Sequence, residues 1–384
     1  MVLSALLALT IGCGDAGSSG GAGTGGSGSS GGGESLPTVD GCDGAKLLLA
    51  PENTSQPGPW DVGARTLTIG DLTVEAWYPA KPGSSTGESA RYDVRDHLPA
   101  SELGKIADED APIQTCDCER DLPADSVRGP YPLIVFVHGT AGFRTQSLEI
   151  TSHWASRGFV VLAADHPGLS LHDLLGALCG AGAVTQDLQG DLDLLVATIQ
   201  SGSGLGDLAD VVDSSRIGMS GHSAGGGAID ARGDDARVLI PMAAGGFVAG
   251  TKLESGLVLG AVEDTVVEYA EQEDGFEAAP SPKRLVGVSP AGHLVFSSLC
   301  HIENEAGQDL VEIGEEAEVC GLDLAGALFD CRDDYVSKDL GHTIVNDAST
   351  AVFEETLHCN GARTAWIGTI ESRYPEVADY LEEL

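Results

Sequence analysis

Arg216-Ile-Gly-Met-Ser-Gly-His-Ser-Ala-Gly-Gly-Gly-Ala-Ile229 is the stretch whose reading decides the fold. It reads as a short apolar strand that ends in Gly221-His222-Ser223-Ala224-Gly225 and turns directly into a helix. A serine on so tight a turn projects its hydroxyl above the sheet, and flanking glycines remove the Cβ clashes that would forbid the turn. The G-x-S-x-G pattern alone is weak in a chain with 53 glycines, where a plain glycine-rich turn is the competing reading. The chain on either side decides between them.

Upstream, Tyr131-Pro-Leu-Ile-Val-Phe-Val137 and Phe159-Val-Val-Leu-Ala-Ala164 are continuous apolar runs, as strands buried on both faces are. A helix fits residues 146–157, closed by Gly158. Another fits 187–200, where Leu188, Leu192, Leu195, Val196 and Ile199 recur at helical spacing. Downstream, residues 238–242, 257–262 and 285–288 supply three further strands. Strand and helix alternate from residue 131 onward, which predicts an α/β chain with a mostly parallel central sheet and helices on both faces. Ahead of it, residues 64–69 and 72–78 alternate and flank Gly70-Asp71 as a hairpin. Residues 81–130 lack a clear period and read as a surface excursion. Residues 300–340, with three cysteines and much acid, read as an insertion pinned by disulfides. Residues 343–357 read as a closing helix with Val345, Ala348 and Val352 inward. With no internal repeat and no second boundary, residues 36–384 are expected to form one domain.

At 384 residues and 42% hydrophobic content the chain can build a large core. Its formal charge of -39, with no basic run, argues against a nucleic-acid partner and against attraction to anionic lipid. Residues 1–13 are a short apolar run that reads as an export signal, too short to span a bilayer. Thr10-Ile-Gly-Cys13 resembles a bacterial lipoprotein cleavage box, with Cys13 as the lipidated residue, although Thr10 stands where leucine is usual. A simple secretion signal is the alternative. Residues 14–35, rich in Gly and Ser, bury nothing and read as a tether, so any membrane association is expected through the N-terminal anchor alone. Nine cysteines less Cys13 leave eight, an even number that suggests up to four disulfides in an exported chain. Cys116-Asp-Cys118 lacks a second pair or a histidine cluster at ligand spacing, so no metal site is expected.

Three strand ends carry the chemistry. Ser223 follows one, Glu263-Asp264 follows the strand at 257–262, and His293 follows the strand at 285–288. Functional groups of open α/β sheets gather at carboxyl ends of strands, and the order Ser, acid, His is that of α/β-hydrolases. A serine hydroxyl becomes a nucleophile when a neutral imidazole takes its proton, and His293 is placed to do so. A buried carboxylate holds the imidazole tautomer; Asp264 is preferred to Glu263 because Asp-Thr-Val-Val suits a loop leaving a strand. His222 is read as a neighbour of the nucleophile and not the base. The oxyanion needs two N–H donors: Ala224, directly after the nucleophile, and Thr140, with Ala141 second, in the loop after His138-Gly139.

His138-Gly-Thr-Ala-Gly-Phe-Arg144, Ala155-Ser-Arg-Gly-Phe-Val160, Gly221-His-Ser-Ala-Gly-Gly226, Gly260-Ala-Val-Glu-Asp-Thr-Val-Val267 and Gly292-His-Leu-Val-Phe296 resemble platelet-activating-factor acetylhydrolases and bacterial cutinase-like polyester hydrolases. Gly58-Pro-Trp-Asp-Val-Gly-Ala-Arg-Thr66 and Trp77-Tyr-Pro79 fit the same group, so the resemblance runs over roughly residues 55–300. It implies an α/β-hydrolase fold and serine ester hydrolysis without metal or organic cofactor, with Thr140 and Ala224 lending the oxyanion N–H groups. The segments at 81–130 and 300–340 depart from the compact polyesterase pattern and are expected to roof the site. The expected activity is that of an exported monomeric carboxylesterase on short- to medium-chain acyl esters, including lipid or polymer fragments. A long-chain lipase or polyester hydrolase is the second reading. A surface-tethered binding protein on a hydrolase fold is the non-enzymatic one.

Overall fold

The computed structural model describes residues 36–322 and 328–384. The expected export signal, Cys13 and the tether at 14–35 lie outside the described residues. In chain order the strands are β1 (Val62–Ile69), β2 (Leu72–Pro79), β3 (Arg91–Asp93), β4 (Ile113–Thr115), β5 (Cys118–Arg120), β6 (Tyr131–Val137), β7 (Val160–Ala164), β8 (Val212–His222), β9 (Val238–Met242), β10 (Ser255–Ala261), β11 (Lys283–Val288) and β12 (Val377–Glu383). Ten join one sheet in the order β12-β11-β10-β9-β8-β6-β7-β2-β1-β5, while β3 pairs with β4 alone. Neighbours from β7 to β11 are parallel. The pairs β2–β7, β1–β2 and β11–β12 are antiparallel. The sheet is therefore mostly parallel at its centre, as expected for an α/β-hydrolase.

The helices are α1 (Leu148–Ser156), α2 (Leu171–Leu178), α3 (Leu188–Ser201), α4 (Ala224–Ala228), α5 (Tyr269–Ala278), α6 (Leu310–Glu316) and α7 (Lys338–Leu357), followed by two short ones. The pleat of β6 sorts its side chains between two cores. Leu133, Val135 and Val137 pack with Leu192, Leu195 and Ile199 of α3. Ile134 and Phe136 pack with Trp154 of α1 and with Val345, Ala348 and Val352 of α7. A sheet buried on both faces needs apolar residues at every position, which is why β6 reads as an unbroken run.

Helix ends follow their caps. Asp187 accepts from Gly190 N at the start of α3, and Gly202, left-handed at φ 71°, ends it. Helix α7 begins five residues before the expected 343 because the Ser337 hydroxyl accepts from Leu340 N there. Several elements were not anticipated. Helix α5 buries only Gln272 and Phe276, so it has no apolar stripe to read. Strand β12 is an edge strand with four acidic or half-exposed polar positions and little β-branched content. Helix α2 has no counterpart among the elements expected from the sequence, and the excursion at 81–130 contains the β3–β4 pair and edge strand β5. All eight cysteines from 42 onward pair, as Cys42–Cys359, Cys116–Cys118, Cys179–Cys320 and Cys300–Cys331. Among the described residues no helix is long and apolar enough to cross a membrane.

Candidate active site

Strand β8 delivers Ser223 on a sharp elbow. Its φ of 55° and ψ of -120° lie where a non-glycine residue is strained, and its N–H is held by Met242 O at 2.8 Å. The glycines are there for close backbone approach. A Cβ on Gly221 would stand 2.4 Å from Gly225 O, and one on Gly225 would stand 2.2 Å from Val137 O.

The loops after β10 and β11 bring Asp264 and His293 together. His293 Nδ1 donates to Asp264 Oδ2 at 2.8 Å, and both side chains are buried. The other Asp264 oxygen accepts from Val266 N and Val267 N at 2.8 and 2.9 Å. Gln272 of α5 donates to Asp264 Oδ2 at 3.2 Å and to Val267 O at 2.7 Å. Glu263 faces elsewhere, accepting from the Ser289 hydroxyl and Ala291 N. The carboxylate that holds the imidazole is thus Asp264 and not its neighbour. Ser223 and His293 line one pocket, although no hydrogen bond joins the serine hydroxyl to the ring in this resting geometry. Such bonds commonly tighten only when substrate is bound.

The loop after β6 supplies the facing donors. Ala141, left-handed at φ 57°, spends its N–H on Leu169 O at 3.0 Å. Thr140 N–H has no acceptor among the described residues, and Thr140 lines the pocket. Ala224 is the first residue of α4, whose N–H has no intrahelical partner. Thr140 and Ala224 therefore present unspent donors, and Ala141 does not.

A buried relay links these loops, and the sequence reading missed one of its members. Gln146 Oε1 accepts from Gly139 N at 3.0 Å, and its amide nitrogen meets His222 Nδ1 at 3.0 Å. His222 Nε2 in turn donates to the carbonyl of His293 at 2.9 Å. Burial pushes the His222 imidazole down to about 3, so it is neutral, with its proton on Nε2 and its Nδ1 accepting from Gln146. His222 is a neighbour of the nucleophile, as expected, and it also steadies the loop that carries His293. A Cβ on Gly142 would stand 2.1 Å from Gln146 Oε1, so that glycine makes room for the relay. No spacing in the sequence signals Gln146, whose partner His222 is 76 residues away, or Gln272, whose partners Asp264 and Val267 sit on an irregular loop without a period.

The pocket holds a cavity of about 180 Å³ beside Ser223. Phe143, Leu171, Leu175, Leu294 and Leu299 form part of its wall. Val94, Leu98 and Ile106 reach it from the excursion, and Leu310, Ile313, Val319 and Phe329 from the cysteine-bearing segment. These two segments cover the site together. Glu102 Oε2 accepts from Cys320 N at 2.8 Å, and Lys105 Nζ donates to Glu318 O at 2.7 Å. Leu98, Ile106, Leu175, Ile313 and Val319 form a small core of their own between them. Asp330 of the same segment also accepts from His293 N at 3.1 Å. One His/carboxylate cluster with metal-ligand spacing occurs among the described residues, and none of its members lines this pocket.

Residues 105–171 match the family model of platelet-activating factor acetylhydrolase, isoform II. The match spans β6, the Thr140 loop, α1 and β7, and stops short of Ser223, Asp264 and His293. It agrees with the resemblance drawn from the motifs and with the α/β-hydrolase sheet, and it supports an ester hydrolase in general. No curated protein matches the chain.

Proposed function

We propose that this protein is a serine carboxylic-ester hydrolase acting on short- to medium-chain acyl esters. The reading rests on the buried His293–Asp264 pair, whose histidine lines one apolar cavity together with Ser223. Ser223 Oγ attacks the ester carbonyl while His293 Nε2 takes its proton, and Asp264 holds the imidazole and stabilises the imidazolium. The oxyanion takes the N–H groups of Thr140 and Ala224, each donor of this kind contributing about 2.7–4 kcal/mol to the transition state. His293 then returns the proton to the leaving alcohol. Water, activated by the same imidazole, releases the acid from the acyl-enzyme.

The cavity of about 180 Å³ lies below the roughly 300–1,000 Å³ of drug-sized pockets, which supports an acyl group of limited length. The matched family's name, an acetylhydrolase, points the same way. The covering segments speak against a polymer chain lying along an open cleft. Hydrolysis of p-nitrophenyl esters from acetate to palmitate tests the reading, with Ser223→Ala as control. Activity with an optimum at the shorter esters, lost in the variant, is expected. An optimum at palmitate would make it a lipase. A folded protein that cleaves none of the series and does not react with a fluorophosphonate would be a tethered binding protein.

Export belongs to the same proposal, supported by four disulfides. Metabolic labelling with palmitate, lost on Cys13→Ala, is the expected outcome for a lipid-anchored chain.

A further inference from the structure

Glu149 in the first turn of α1, His301 in the short turn Leu299–His301, and His342 on α7 meet on the flank of the sheet. One ligand atom from each lies within 4.8 Å of the others. His301 Nδ1 is 3.0 Å from Glu149 Oε2, and His342 Nδ1 is 2.5 Å from the same oxygen. The two imidazoles stack at 4.2 Å between centroids and 14° between planes.

The tautomer of His342 carries the argument. Its Nε2 lies 2.8 Å from the carbonyl oxygen of Ser297, which can only accept, so Nε2 bears a proton. A neutral His342 then turns the bare lone pair of Nδ1 toward a carboxylate oxygen. Two acceptors at that separation repel unless a proton lies between them, and a zinc ion takes the proton's place when the two ligand atoms open to about 3.3 Å, as two bonds of about 2.0–2.1 Å at a tetrahedral angle require. An imidazole whose second nitrogen donates to a backbone carbonyl is also how metal-bound histidines are held.

We propose that Glu149, His301 and His342 bind a divalent cation of the zinc type, with water completing the coordination. Two imidazoles and one carboxylate suit zinc rather than calcium or magnesium, which prefer all-oxygen sites. Glu149 is partly exposed, with 43% of its side chain accessible, so the site has a path from solvent. The sequence hides it because the three residues are 41 or more positions apart: 149, 301 and 342. Bound cation would clamp α1, α7 and the turn that follows the His293 loop, whose Leu299 lines the cavity.

The test is calorimetric titration of the metal-stripped full-length protein with zinc chloride, alongside cobalt(II) uptake followed by visible absorption. One equivalent per chain, a raised Tm, and at least tenfold weaker binding in His301→Gln and in His342→Gln are expected, with circular dichroism confirming that each variant folds. Should His342→Gln fail to fold, His301→Gln and Glu149→Gln carry the comparison. Absence of stoichiometric uptake by the folded wild type overturns the proposal and leaves a proton as the bridging charge. Equal uptake by the His301→Gln/His342→Gln double variant also overturns it, since exposed histidines such as His172 would then be the ligands.

Discussion

At the residue scale the site depends on side chains that fix the loops around Ser223 and His293. Asp264 accepts from two backbone N–H groups, Gln272 and His293, so it is fixed before any reaction begins. Asp264→Asn keeps that shape but offers His293 Nδ1 an amide that favours the wrong tautomer. A fall in kcat on the order of 10⁴-fold with little change in fold is expected, read from ester hydrolysis and circular dichroism. Gln146→Ala tests the relay. It strands the buried Gly139 N–H and His222 Nδ1, each at a cost of about 1–3 kcal/mol, and frees the Thr140 loop. A lowered Tm together with a drop in kcat larger than any rise in KM is the expected pattern; a change in Tm alone would mean that Gln146 only packs. Gly225→Ala puts a methyl 2.2 Å from Val137 O, so loss of soluble, folded protein is expected on expression.

At the element scale, legibility in the sequence followed burial. Strands β6, β9, β10 and β11 are buried throughout and β8 from Arg216 onward, and a strand covered on both faces must announce itself as an apolar run. The elbow was legible because its glycines answer to backbone contacts within a few residues. The fold, and the gathering of Ser223, Asp264 and His293 at neighbouring strand ends, were therefore open to reading along the chain. What escaped is held by long-range polar contacts or by an exposed edge. Gln146 meets a histidine 76 residues away, α5 buries two side chains, and β12 lies at the rim with acidic residues outward. The roof escaped in detail for the same reason: its order comes from Cys179–Cys320, Cys300–Cys331 and two backbone-directed contacts rather than from periodicity. Replacing Cys179 and Cys320 together by serine should loosen α2 against the covering segment. Activity on longer p-nitrophenyl esters is expected to rise relative to acetate, while a chain-length profile identical to wild type would remove the roof from substrate selection.

At the scale of the whole molecule two features set stability. Cys42–Cys359 closes a loop with a sequence separation of 317, and its removal by Cys42→Ser/Cys359→Ser should cost about 2–5 kcal/mol in chemical denaturation. Five buried histidines set an acid limit. Burial pushes His138, His153, His222 and His358 down from 6.5 to about 3, and His97 to about 4. Above pH 6.5 these rings are neutral whether the chain is folded or not. Between there and their folded values the unfolded chain binds protons that the folded chain refuses, so stability falls as pH falls. Tm measured from pH 8 to pH 4 should hold and then decline below about 6.5; a flat Tm across that range would show these rings to be protonated in place. The two covering segments have a different consequence. They carry none of Ser223, Asp264 and His293, yet they supply much of the wall that an acyl chain would meet. Under the proposed function, selection of substrate would draw on these segments while cleavage of the bond draws on other stretches of chain. A chimaera that swaps only residues 81–130 and 300–340 would therefore exchange that wall while keeping Ser223, Asp264 and His293 in place.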